Sequence, residues 1–155
     1  MSVRSTIYDN LLARLALVTV ANGYNTNVIS PIAKNVLHSE VDNIKLGSAR
    51  VSVLDDVDSE PIQYATANRV LLEASFVVRA QIGAVNFGLV PSTATNNFVA
   101  DMHKARRLIK ATPSLLHANV YTCQLAAVPG ANVADDSGIV AVTFLVTYWI
   151  DESAP

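Results

Sequence analysis

One cysteine, Cys123, excludes an intrachain disulfide, so the fold has to be held by packing and hydrogen bonds alone. Histidine is nearly as scarce. His38, His103 and His117 lie far apart, and none has a cysteine at the short spacing that a structural zinc site uses. Charge is thin as well. Only 15% of the residues are Asp, Glu, Lys or Arg, against roughly 25% in an ordinary soluble domain. Aromatic residues make up 6%. The longest uncharged apolar run, 139–150, has twelve residues, well short of the roughly 20 of a membrane-spanning helix, and its β-branched and aromatic content reads as strand. No cationic leader followed by an apolar core opens the sequence, so a chain without a Sec-type signal, assembled in a cytosol, is expected.

What is present is apolar. Hydrophobic residues make up 51% of the 155, more than the interior of one small domain readily absorbs. Part of that surface is expected to meet another subunit, because the cores of interfaces are depleted in charge. The other reading is a Val/Ala-rich sheet with a plain surface. The net charge of −2, from 13 acidic and 11 basic side chains, gives no overall attraction to nucleic acid or to acidic membranes.

Along the chain, residues 6–18 read as an amphipathic helix. Thr6 followed by Asp9 matches a capping box, Ile7, Leu11, Leu15 and Val18 form one stripe that Leu12 widens, and Asp9, Asn10 and Arg14 take the wet side. Asn22-Gly23 supplies the positive-φ positions that end the helix and lead into a sheet. Residues 28–38 are a weak strand containing Pro31, which has no N–H to donate, so the strand lies at an edge or begins after the proline. A strand over 44–54 places Ala49, Val51 and Val53 on one face, and an acidic loop with Asp55, Asp56, Asp58 and Glu60 follows.

From Val70 to Ile82 a long alternation predicts a strand with one apolar and one mixed face, breaking at Gly83. A second helix is expected over 95–110, capped by Thr93 or Thr95 and ended by Pro113. Its stripe is Phe98, Met102, Ala105 and Ile109. Strands over 120–128 and 139–150 close the chain as a long hairpin. The connection between them, with Pro129, Gly130, Asn132, Asp135 and Asp136, is longer than a tight turn needs and is a candidate partner-contact loop. The expected fold is therefore a single α+β domain spanning 1–155, a mostly antiparallel sheet with two helices on one face.

No catalytic motif emerges, and no enzyme activity, cofactor or metal is expected. Gly83 to Gly88 has the glycine spacing of a phosphate loop, but Leu89-Val90 stands where the lysine and hydroxyl residue are required. The acidic residues at 55–60 do not follow the order of a calcium loop. Cys123 within a strand pattern reads as a packed small hydrophobe. The strongest pattern is basic: His103, Lys104, Arg106, Arg107 and Lys110 fall within eight residues, with His103, Arg106, Arg107 and Lys110 on one side of the helix. That side is a solvated face, a subunit contact with the acidic 55–60 segment of a neighbour, or a surface toward DNA. The subunit contact ranks above DNA, since DNA contact recruits more cation with aromatic or base-reading residues interleaved.

The order of these segments is informative. An opening helix, IYDNLLARLALV, runs into TVANGYNTNV; a long alternating strand, the basic helix MHKARRLIKA and a last strand GIVAVTFLVTYWI follow. Taken together this resembles the tail terminator proteins of long-tailed bacteriophages, also called tail completion or minor tail proteins, and residues 7–28 carry the most specific part of the likeness. The resemblance implies a virion protein without bond chemistry. It would form a ring, usually a hexamer, on the head-proximal end of the tail tube, end tube polymerisation and present a surface for head–tail joining. Its partners would be further copies of itself, the tail tube protein and the head connector. DNA would pass through the lumen as cargo, and no membrane would be involved. A second neck role, head closure or head–tail adaptor, is the nearest alternative. A small α+β ligand-binding domain or enzyme, drawing on Tyr24, Asn25, His38 and His117, is the more distant one.

Overall fold

The computed structural model describes residues 2–34, 44, 47–55, 62–83, 92–126 and 139–151. Two helices and six strands appear in the order α1 (Val3–Leu15), β1 (Asn27–Lys34), β2 (Ser48–Asp55), β3 (Ile62–Ala65), β4 (Arg69–Ile82), α2 (Ser92–Ala111), β5 (Val120–Leu125) and β6 (Ile139–Asp151). The strands form one sheet in the order β1-β2-β4-β6-β5, with β3 paired to β4 beside that path. The expected α+β architecture is present, and its helices pack against the sheet.

The spine of the sheet is the antiparallel pair β4–β6, in unbroken register from Arg69↔Asp151 to Gln81↔Ile139. Burial alternates through 74–80 of β4 and 140–148 of β6, so a single register buries both apolar faces together. Ala74, Phe76, Val78 and Ala80 meet Val142, Phe144, Val146 and Tyr148 on the side that the helices cover. Ala49, Val51 and Val53 of β2 extend the same face, as their spacing predicts. Onto it α1 lays Ile7, Leu11 and Leu15, and α2 lays Phe98, Met102, Ala105 and Ile109. Tyr8 stacks on Phe76 with centroids 5.8 Å apart, and its hydroxyl donates to the Val53 carbonyl at 2.7 Å, so the ring buries area while its polar tip stays satisfied.

Several boundaries differ from the sequence reading. Helix α1 starts earlier, because Ser2 rather than Thr6 is the cap: its Oγ accepts from the Ser5 N–H at 3.1 Å. Thr6 is already in the first turn and donates back to the Ser2 carbonyl, and Asp9 pairs with Lys34. The helix also ends earlier, at Leu15, with Val18 buried beyond it. Neither Thr93 nor Thr95 caps α2. Both lie inside a helix that begins at Ser92, and Thr95 is fully buried. Strand β1 is an edge strand, and its register slips between Ile29 and Ala33, across Pro31, where the missing N–H breaks the ladder. It runs parallel to β2, which no local pattern foretold. Strand β3 was not anticipated at all: its four residues are exposed and carry no alternation in burial.

Because one register buries β4 and β6 against both helices, Phe144→Ala should destabilise the fold by about 3–5 kcal/mol, the usual cost of emptying an aromatic site in a core. Ser75→Ala, on the other face of the same spine, should cost no more than roughly 0.5 kcal/mol. Urea denaturation of the two variants checks the difference.

Candidate functional site

The segment between α1 and β1 is the most specifically built part of the chain. After Leu15 the backbone tightens: Leu17 N–H bonds to the Arg14 carbonyl and Val18 N–H to that of Leu15. A 3-10 turn over Val20–Asn22 follows. Gly23 adopts φ +86°, the left-handed conformation expected of it, but it closes this 3-10 turn rather than α1. The asparagines hold the segment together. Asn22 Nδ2 donates to the Leu17 carbonyl at 2.8 Å, and Asn27 Oδ1 accepts from the Val20 N–H at 2.9 Å. Such short polar side chains satisfy backbone groups that neither helix nor sheet pairs.

Helix α2 clamps this turn from outside. Asp101, only 1% exposed, accepts from Asn25 N–H at 2.9 Å and Asn25 Nδ2 at 3.1 Å on one oxygen, and from Thr26 N–H at 2.8 Å on the other. A buried carboxylate is costly unless hydrogen-bonded, and these three donors supply what water would. One turn later, Lys104 Nζ donates to the Gly23 carbonyl at 2.7 Å and lies 4.7 Å over the Tyr24 ring. Burial pushes the Tyr24 hydroxyl above its ordinary pKa, with Asp101 adding to the rise and Arg14 opposing it. Sequence reading missed Asp101. The available signal was an acid falling between Phe98 and Ala105 on the apolar stripe, where only a paired charge is tolerated.

The basic row of α2 thus divides. Lys104 is spent on the turn. His103, Arg107 and Lys110 are exposed and Arg106 is half-buried, and among the described residues none of these four joins an ion pair. Asp55 ends β2 instead of opening a loop, and it takes Arg4 Nε of the same chain at 3.0 Å, so its carboxylate is already engaged without a neighbour. Asp56, Asp58 and Glu60 lie outside the described residues, as do Pro129, Gly130, Asn132, Asp135 and Asp136. His38 lies outside them too, while His117 Nδ1 accepts from Asn119 N–H in a turn. Among the described residues no three His, Cys, Asp or Glu side chains gather as a metal site would require, and no helix is long and apolar enough to cross a membrane.

A groove of about 260 Å³ opens beside the clamp, lined by Asn25, Thr26, Gly47, Ile82, Thr93, Ala94 and Asn97. Part of its polar lining is already committed, since the Asn25 amide and the Thr26 N–H donate to Asp101, while the Thr93 and Asn97 side chains complete the wall. Cys123 is fully buried in β5, facing the core, and burial pushes its thiol up to about 12 against a small opposing pull from Arg106.

Asp101→Asn should weaken the fold by about 2–3 kcal/mol, since charge-assisted bonds to two backbone amides are lost. Hydrogen exchange at Asn25 and Thr26 should rise with it. Gly23→Val should cost about 1–3 kcal/mol through positive-φ strain, with a Cβ only 3.3 Å from Lys104 Nζ. Cys123 should resist iodoacetamide at pH 8 in the native protein and react once urea unfolds it. Its raised pKa also means that its contribution to stability is whole below about pH 9 and drains away as pH rises toward 12.

Comparison with family models finds no match for this chain, and comparison with curated proteins finds none.

Proposed function

We propose that the chain is a structural subunit of the neck of a long-tailed bacteriophage. In this reading it forms a ring that caps the head-proximal end of the tail tube, ends tube polymerisation and offers the surface on which the head is joined. The ring is hexameric by resemblance, and the protein carries out no bond chemistry. It would act in the virion, after assembly in the bacterial cytoplasm, with the tube protein and head connector as partners and DNA as cargo in the lumen.

The observation that carries this reading is the unit built from residues 7–28. The stretch with the most specific family likeness is also the one that α2 clamps through Asp101 and Lys104, so its distinctive polar residues serve architecture. The outer basic side of α2 and the second face of the sheet support it further, because a ring needs two different patches that meet head to tail. The ligand-binding alternative has one observation in its favour, the groove beside Asn25, but the Asn25 amide is committed to Asp101. A head-closure or adaptor role would use the same architecture at a neighbouring level of the neck.

Negative-stain imaging and native mass spectrometry of the protein with isolated tails test the reading. A ring at the head-proximal end of tails, before heads attach, is the expected result. A ring found only on DNA-filled heads would transfer the protein to head closure. A monomer on assembled tails, or absence from virions, would end the proposal.

A further inference from the structure

The two faces of the sheet are unequal. The helices cover one; no described element covers the other, and at the Trp149 end it carries a row of large side chains across four strands. Leu71 and Trp149 are register partners on β4 and β6, and Tyr64 of β3 is partnered with Leu71. The Tyr64 and Tyr121 rings stand edge-on to Trp149 at 6.2 and 6.5 Å, and the Arg69 guanidinium lies 4.9 Å over it. Tyr64 and Tyr121 are 59% and 61% exposed. Trp, Tyr and Arg are the residue types that dominate interface hot spots, and here they are held rigid by one another.

We propose that this end of the sheet is a subunit interface that receives the α2 side of a second copy of the chain. The proposal rests on the ring reading and names the surfaces that would close the ring. Charge selects the occupant. Glu73, one step from the aromatic row and opposite Thr147, has no ion-pair partner among the described residues. Arg107 and Lys110 on α2 likewise have none, and both are exposed. The cationic side of α2 is therefore the complement of aromatic rings that stand beside a carboxylate. Nucleic acid is the poorer occupant, since Arg69 is engaged over Trp149 and is in register with Asp151, leaving Glu73, among the described residues, as the charge of this end without an ion-pair partner.

Site-specific cross-linking tests the contact on the full-length chain. Buried Cys123 leaves the native protein without a reactive thiol, so Gln124→Cys on the uncovered face and Ala111→Cys at the end of α2 are clean reporters. With a short bis-maleimide, a mixture of the two variants should give a cross-linked dimer on rings or tail ends, and neither variant alone should. Tyr121→Ser, which removes one edge-on ring contact with Trp149 and should lower the melting temperature by only a few degrees, should lower the assembled fraction at least tenfold at a temperature where both proteins are folded. Self-cross-linking of Gln124→Cys alone would mean sheet-to-sheet pairing and would overturn the proposal. Intact rings without any cross-link, or rings unaffected by Tyr121→Ser, would place the interface elsewhere and leave the ring reading standing. Oligonucleotide binding lost in Tyr121→Ser with assembly unchanged would make the surface a nucleic-acid platform and overturn the proposal. A wild-type chain that stays monomeric on tails would overturn both the proposal and the ring reading.

Discussion

The carboxylate of Asp101 fixes how the first quarter of the chain meets the rest. It lies in the helix layer, buried, and receives its donors from residues 75 and 76 positions earlier in sequence. Without those donors a charge in the core would be untenable; without the charge, the Asn25 and Thr26 amides would lack partners at the point where the turn becomes β1. Each side therefore makes the other affordable. Since α1, the 3-10 turn and β1 are covalently continuous, this one clamp sets where α1 ends and where the edge strand begins. Lys104 extends the clamp by one helical turn and holds the Gly23 carbonyl, so the left-handed residue is fixed from both sides of its peptide.

Much of the fold was legible because periodicity reports burial. In the middle of β4 and along most of β6 burial alternates as the residues do, with Ala74, Phe76, Val78, Val142, Phe144 and Val146 inward. The stripe on α2 was equally plain, since Phe98, Met102, Ala105 and Ile109 all reach the core. What stayed hidden obeys other rules. The parallel pairing of β1 with β2 is a long-range choice that leaves no mark on either strand. β3 exists because β4 extends past the end of β2 and offers free backbone groups there, so its own four exposed residues carry no pattern to read. Helix starts were misplaced wherever several hydroxyl residues compete. Ser2, Ser5 and Thr6 all bond near the first turn of α1, and only geometry decides which of them caps.

At the clamp, the sequence suggested the turn but not its partner. Gly23 at positive φ follows from the Asn-Gly pair alone. Asp101 was overlooked because it sits among four cations within nine residues, where an acid reads as one more solvated charge. Its place on the apolar side of α2 was the better guide. The basic cluster divides: Lys104, which helical spacing sets apart from His103, Arg106, Arg107 and Lys110, folds inward and is spent within the chain.

The composition then takes on a more specific meaning. A two-layer fold with helices on one face of the sheet leaves the second face to be solvated or covered by another molecule. Over much of its length that face is mixed, with Glu73, Ser75, Arg79, Thr143 and Thr147 half-buried. Near Trp149 it is not, and four strands converge there on rings braced edge to face. A self-complementary contact between two such faces would use the same patch twice and stop at a dimer. A contact between the sheet face of one copy and the helix side of the next uses each patch once and leaves one of each free, so it propagates until rotation closes it. The unlike faces of this fold, one aromatic with a carboxylate that has no ion-pair partner among the described residues and one basic, suit the propagating contact better than the self-complementary one.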